Sequence, residues 1–240
     1  INRVANVSAA SYDGSLLAGE SIAVAFGTNL ATTTVSANGS LPTSLAGTTA
    51  KLKDSAGVER LSPLFFVSPT QVNYQIPVGT APGPALVTIT NSNGQQSQSA
   101  VQIASVAPGL FTANATGRGV AAASILRIKA GGAQTYESVG VFDPTQNQFI
   151  AQPIDLGPAT DQVFLILFGG GIRFRSDAAN VKVKIGGMNA AVSFAGSQGG
   201  FVGLDQVNAQ IPRSLIGRGE VDVVLTVDGK VANVVKVAIK

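Results

Sequence analysis

At 240 residues the chain has room for one large or two ordinary domains, and 28 glycines with only 12% charged residues suit an all-β protein rich in tight turns. It contains neither Cys nor His, which excludes disulfides, thiolate or Ser–His nucleophilic catalysis, and metal sites built on Cys or imidazole. The net charge of +3 (16 cations, 13 anions) is too thin for a nucleic-acid footprint, and no apolar run approaches a membrane-spanning helix.

Residues 3–7 read as a first short strand, with a polar turn at Asp13-Gly14. Ile22, Val24 and Phe26 alternate as a strand that Gly27-Thr28-Asn29-Leu30 ends. A Thr/Ser/Gly loop with a tight turn at Asn38-Gly39 leads to a strand at 49–53, whose outward positions are Lys51 and Lys53. Leu64-Phe65-Phe66-Val67 is a fully apolar strand; residues 71–76 form the next, and Ala81-Pro82-Gly83-Pro84 turns the chain. A strand through Val87 and Ile89, an Asn93-Gly94 hairpin and a strand with Val101 and Ile103 follow. About seven strands at 8–12-residue spacing, with no helical periodicity, predict a sandwich.

Residues 104–160 open with the rigid apolar bend Ala107-Pro108-Gly109-Leu110-Phe111 and continue through strand-like pieces at 122–129, 136–142 and 148–154. They are too apolar for a floppy linker and are expected to add strands that dock two sandwiches together. Beyond them the first pattern returns. Thr70-Gln71-Val72-Asn73-Tyr74-Gln75-Ile76-Pro77 recurs as Asp205-Gln206-Val207-Asn208-Ala209-Gln210-Ile211-Pro212, six of eight positions identical. Residues 20–27 correspond to 162–169, 50–53 to 181–184 and 83–90 to 219–226, in the same order. Insertions at 32–44 and 194–203 fall between strands, as expected for one domain type duplicated. Lys182 and Lys184 again face outward, and an Asp228-Gly229 hairpin joins the strand at 221–227 to a terminal strand at 231–239. Lys51, Lys53, Lys182 and Lys184 are read as charges that guard sheet edges. The expected organisation is a sandwich at 1–103, a partly structured β linker at 104–160 and a second sandwich at 161–240.

Phe26-Gly27-Thr28-Asn29-Leu30, the Lys-x-Lys strand followed by Gly186-Gly187-Met188-Asn189-Ala190, and the two Gln-Val-Asn-x-Gln-Ile-Pro segments resemble IPT/TIG domains, a branch of immunoglobulin-like sandwiches. Ala9-Ala10-Ser11-Tyr12, Pro108-Gly109-Leu110-Phe111 and Gly217-Arg218-Gly219-Glu220 extend the likeness over nearly the whole chain, to an uncharacterised C-terminal module of large secreted acidobacterial proteins. Leu17-Ala18-Gly19 departs from that pattern in one turn. The resemblance implies an extracellular module and carries over no catalytic residue.

Candidate chemistry is sparse. Gly169-Gly170-Gly171 follows a strand but opens no helix, so it reads as a bulge or turn and not as a phosphate loop. Asp13, Asp54, Asp143, Asp177 and Asp228 sit in turns, and no acid recurs at the same strand position of both copies. Oxygen ligands at 143–147 and 155–161 raise calcium, but neither stretch has an EF-hand pattern; no metal set, cofactor or catalytic residue is assigned. Gln71, Asn73 and Gln75, with their copies Gln206, Asn208 and Gln210, form amide stripes that could hydrogen-bond sugar hydroxyls, face water or satisfy backbone groups. Tyr12, Tyr74 and Tyr136 offer stacking faces, although 6% aromatics and no Trp are lean for carbohydrate binding.

The expected protein is therefore a non-enzymatic structural, adhesion or display module of a larger secreted or cell-surface bacterial protein. Its partners would be a cell-surface protein or polysaccharide, with neither nucleic acid nor membrane insertion. A carbohydrate-binding accessory module is the first alternative, with Gln71, Asn73, Tyr74, Gln75, Gln206, Asn208 and Gln210 as its surface; a carboxylate-dependent hydrolase is the second. The chain starts at Ile1 and is read as a mature or excised piece, its export signal removed.

Overall fold

The computed structural model describes residues 2–240; Ile1, where the first expected domain begins, lies outside the described residues. The protein is all-β, with single turns of 3-10 helix at Ala178–Asn180 and Arg213–Leu215. The chain divides into two compact units, one running to Ala107 and including Gly200–Gly203, the other comprising Pro108–Gly199 and Leu204–Lys240.

In the first unit the strands are β1 (Asn2–Arg3), β2 (Ala5–Ser8), β3 (Leu17–Ala18), β4 (Ile22–Phe26), β5 (Val35–Ser36), β6 (Thr49–Lys53), β7 (Glu59–Leu61), β8 (Leu64–Val67), β9 (Gln71–Gln75), β10 (Gly83–Thr90) and β11 (Gln96–Ala104). One sheet has the order β2-β4-β9-β8-β5, the other β1-β11-β10-β6-β7 with β3 also on β11. The expected first strand is thus two: Val4, buried in the core, separates β1 and β2, which join different sheets. Alternation puts Ala23, Ala25, Val72 and Tyr74 of one sheet against Leu52, Val87 and Ile89 of the other in a single core.

The second unit contains β12 (Gly109–Leu110), β13 (Ala123–Ile128), β14 (Gln134–Ser138), β15 (Gly140–Asp143), β16 (Gln148–Ala151), β17 (Pro153–Ile154), β18 (Gln162–Gly170), β19 (Val181–Ile185), β20 (Met188–Ala190), β21 (Val192–Ser197), β22 (Asp205–Gln210), β23 (Gly219–Val227), β24 (Lys230–Val231) and β25 (Val235–Ile239). Its sheets run β14-β13-β18-β22-β21 and β17-β25-β23-β19-β20, with β15–β16 a separate hairpin. The two units share one strand order: β2-β4-β9-β8 matches β13-β18-β22-β21, and β11-β10-β6-β7 matches β25-β23-β19-β20. Parallel pairing of β3 with β11 recurs as β17 with β25.

Three expectations need correction. The stretch expected as a linker, 104–160, divides between the units: 104–107 end the first, and from Pro108 on β13 pairs with β18 and β17 with β25, supplying the opening strands of the second. Hairpins β14 and β15–β16, inserted between those strands, hid the correspondence with β2 and β3. The terminal strand is split: after a turn in which Asp228 and Gly229 both have positive φ (48° and 77°), Ala232 N–H still donates to Leu225 O, and Asn233 and Val234 then leave the ladder before β25. The four lysines do not guard edges: β6 and β19 are interior strands, flanked by β10 and β7 and by β23 and β20.

The cores differ by a reciprocal exchange of volume. Tyr74 lies opposite Ala23, whereas its copy Ala209 lies opposite Leu165. Tyr74 is wholly enclosed and its hydroxyl donates to Asn6 Oδ1 at 2.8 Å; the position matching Asn6 is Ala123, so phenol and amide are lost together.

Candidate functional site

The repeated octapeptide forms β9 and β22, each flanked by matching strands. Their ends are anchored alike: Ile76 N–H donates to Ser21 O and Ile211 N–H to Val163 O, both at 2.9 Å. Along each strand one amide donates to the next, Gln71 Nε2 to Asn73 Oδ1 at 2.7 Å and Gln206 Nε2 to Asn208 Oδ1 at 2.8 Å. Each pair is half-buried on the outer face of its sheet. The third amides diverge. Gln75 is buried and donates to Glu20 O at 3.1 Å, while Gln210 borders a cavity of about 110 Å3 with Leu156, Asp161 and Arg213.

Tyr74 cannot touch a ligand, since its side chain fills the core; as a glycan-facing residue it is corrected. Tyr12 sits at φ 61° with its ring stacked on Phe26, centroids 6.3 Å apart. Tyr136 projects from β14 at 68% exposure, opposite Leu126.

A recurrent ring arrangement, not anticipated from the sequence, surrounds the amide pairs. Phe26 lies opposite Gln71 and Phe168 opposite Gln206. A register shift in β8 brings Phe66 opposite Asn73, and a shift at the same place in β21 brings Phe194 opposite Asn208. Phe26-Gly27 and Phe168-Gly169 were alignable in the repeat. Phe194 was not, because it falls in the segment read as an insertion and the bulge displaces it by one residue.

The units then differ at the rim of this face. Opposite Gln71, Ser68 is tied into a turn, accepting from Gln71 N–H at 3.0 Å. Opposite Gln206 stands Gly196, where an added Cβ would lie 3.5 Å from Arg175 Nη1 and 3.7 Å from Phe194 Cζ. Arg175 donates from Nη1 to Arg173 O at 3.4 Å, and its buried Nε has no partner.

Elsewhere charges serve the backbone. Asp205, fully buried, accepts from Ile172 and Arg173 N–H and from Arg173 Nε. Arg127 holds Glu137, Asp161 and the Asp155 carbonyl; Arg213 donates to the carbonyls of residues 156–158. Asn114 pairs with both the N–H and the carbonyl of Phe149, as a neighbouring strand would, and Asn233 does the same for Leu110. The Ala81 N–H, followed by Val58 N–H and Arg60, holds the Asp54 carboxyl below the usual carboxylate range. The Thr145 and Ser176 hydroxyls lower Asp143 and Asp228, and the Gly157 N–H lowers Asp155. These acids are turn-formers, and no group of three or more Asp or Glu able to hold a metal occurs among the described residues. Gly169 answers to a close approach: a Cβ there would run into the Gly109 carbonyl oxygen where β12 pairs with β18, and only Gly171 of the triplet has positive φ.

Two open grooves lie on the second unit. One, of about 350 Å3, includes Asn114, Arg118, Phe149 and Lys236; the other, of about 580 Å3, runs along Lys182, Lys184 and Asn189. No protein-family model matches the chain, and no curated protein is detectably similar to it in sequence.

Proposed function

We propose that the chain is a non-catalytic structural or display module of two immunoglobulin-like sandwiches of IPT/TIG type, held within a larger protein outside the bacterial cell. The observation that carries this reading is the strand order, repeated over four strands of each sheet in two separately cored units. Supporting it, the charged groups with the most partners, Asp54, Arg127, Asp205 and Arg213, are spent on turns and loop carbonyls. Such bodies suit a spacer, since each resists extension through its own β ladders. Single-molecule stretching of the full chain tests it: two force peaks are expected, releasing chain lengths that fit about 107 and 133 residues (1–107 and 108–240) at ~3.4 Å each. Gradual extension without peaks would refute a mechanical spacer.

Carbohydrate binding is the second reading. Exposed Tyr136 and Phe194 on the same sheet face as Gln206 and Asn208 favour it, because flat rings and amides together suit pyranose faces and hydroxyls. Retention on insoluble polysaccharides, lost in Phe194→Ala, is its test; equal retention of the variant would refute this face as the site.

A further inference from the structure

We infer that the outer face of the β14-β13-β18-β22-β21 sheet binds an acidic polysaccharide, whose uronate carboxylates are taken by Arg175 beside Phe194. The inference rests on the carbohydrate reading and narrows it to a charge class and a site.

Three observations meet at Gly196. The guanidinium of Arg175 and the ring of Phe194 flank the same point above the strand, within 4 Å of where a side chain would begin. Glycine leaves that point open. Arg175 is half-exposed, its Nη1 is held only by a long 3.4 Å bond to the Arg173 carbonyl, and an Arg cannot shed its charge. Nε is enclosed and out of a ligand's reach, so a carboxylate entering beside the Phe194 ring meets the guanidinium at its Nη atoms, whose planar geometry suits a carboxylate.

Adjacent groups fit the remainder of a sugar chain. The internal bond from Gln206 Nε2 to Asn208 Oδ1 leaves the Gln206 carbonyl oxygen and the Asn208 amide hydrogens unengaged, an acceptor and donors for hydroxyls. Phe168 lies opposite Gln206 in the next strand, and Tyr136 stands exposed on β14. Four strand steps separate β14 from β21, roughly 19 Å at ~4.8 Å per step, so the face accommodates several sugar units rather than one.

Charge selects the ligand class. The outward registers of β13, β14, β18, β21 and β22 hold Ser, Leu, Ile, Gln, Tyr, Phe, Asn and Gly, and no acid. Asp205 points inward to Arg173, and Asp228 is held by Ser176. The sheet face itself thus carries no carboxylate, while Asp177 and Asp228 near Arg175 are engaged by Ala179 N–H and by Ser176. The first unit keeps the Phe-Gln-Asn-Phe arrangement but has Ser68 where the second has Gly196, with Tyr12 laid over Phe26. It serves as an internal control.

The test is affinity electrophoresis and calorimetry of the full chain with polygalacturonate, the same polymer fully methyl-esterified, a neutral β-glucan and phosphatidylglycerol vesicles. Polygalacturonate should bind and the ester should not. Arg175→Ala should weaken binding about tenfold or more, as for loss of a charge-assisted pair, with Arg175→Lys intermediate. Phe194→Ala and Gly196→Val should also weaken it, while Phe66→Ala in the first unit should not; unchanged melting of each variant confirms folding. Equal binding of acid and ester would overturn the inference and leave the carbohydrate reading standing, as would binding of neutral β-glucan alone. No binding to any polysaccharide would overturn both. Polygalacturonate binding unaffected by Arg175→Ala but lost in Lys182→Ala/Lys184→Ala would overturn the site, and vesicle binding in place of polymer would overturn the ligand class.

Discussion

The exchange of Tyr74 and Ala23 for Ala209 and Leu165 predicts how the first unit responds to redesign. Truncating a fully buried aromatic costs ~3–5 kcal/mol. Tyr74→Ala should reach the upper part of that range, because Asn6 Nδ2 already lacks a partner and the loss of the phenol also orphans its Oδ1. Ala23→Leu alone pushes a larger side chain against an occupied site and should cost ~1–3 kcal/mol. If the sites were independent, the double variant would lose about 5–7 kcal/mol, the sum of those ranges taken near their upper and middle values. The second unit shows the alternative filling, with Leu165 directly across from Ala209. Ala23→Leu/Tyr74→Ala should therefore lose less than Tyr74→Ala by itself, with a coupling of about 2–3 kcal/mol in favour of the pair. Replacing Asn6 by Ala, as at Ala123, should recover more by removing the orphaned amide. The assay is a urea series on the full chain, read by hydrogen exchange in peptides spanning β4 and β9 so that only the first unit is scored. Additive losses, with a coupling within about 0.5 kcal/mol of zero, would refute the reasoning.

Tyr74 also predicts an alkaline limb. Burial raises its hydroxyl above the ordinary tyrosine value, so its contribution is complete below the unfolded pKa of about 10 and is lost as pH rises toward the folded value. The first unit should melt progressively earlier above pH ~10, and Tyr74→Phe should show a shallower decline; parallel pH profiles would contradict this. Asp54 predicts the opposite limb. Its carboxyl is held low by the Ala81 N–H first, then by Val58 and Arg60, so its contribution is present above the unfolded value of about 3.9 and lost as pH falls through the folded one. Asp54→Asn should lower the melting temperature of the first unit at neutral pH and flatten its acid decline; an unchanged acid slope would show that other carboxylates set it.

What was legible in the sequence was whatever obeys a period of two and recurs. The twin Gln-Val-Asn-x-Gln-Ile segments announced β9 and β22, and Asp228-Gly229 announced its hairpin, because alternation and paired positive-φ residues are local properties. Sheet membership is not local. Nothing in the pattern of residues 3–7 says that Arg3 and Ala5 belong to different sheets, since the break at Val4 is set by what each half finds to pair with. The same limit hid the first strands of the second unit: β13 shares with β2 a position beside β18 or β4, but not its side chains, because Asn6 and Ser8 are matched by Ala123 and Ile125. Equivalent strands can thus share a place and differ in side chains where the residue across the core differs too, as Tyr74 and Ala209 do. Surface groups escape for a related reason. Phe194 and Arg175 are far apart in sequence and flank the same point above Gly196, where a bulge in β21 sets the ring beside Asn208. Single bulges and missing side chains carry almost no periodic signal. Positions where the two units share a backbone and differ in the groups it presents are therefore where a duplicated fold is free to acquire separate roles.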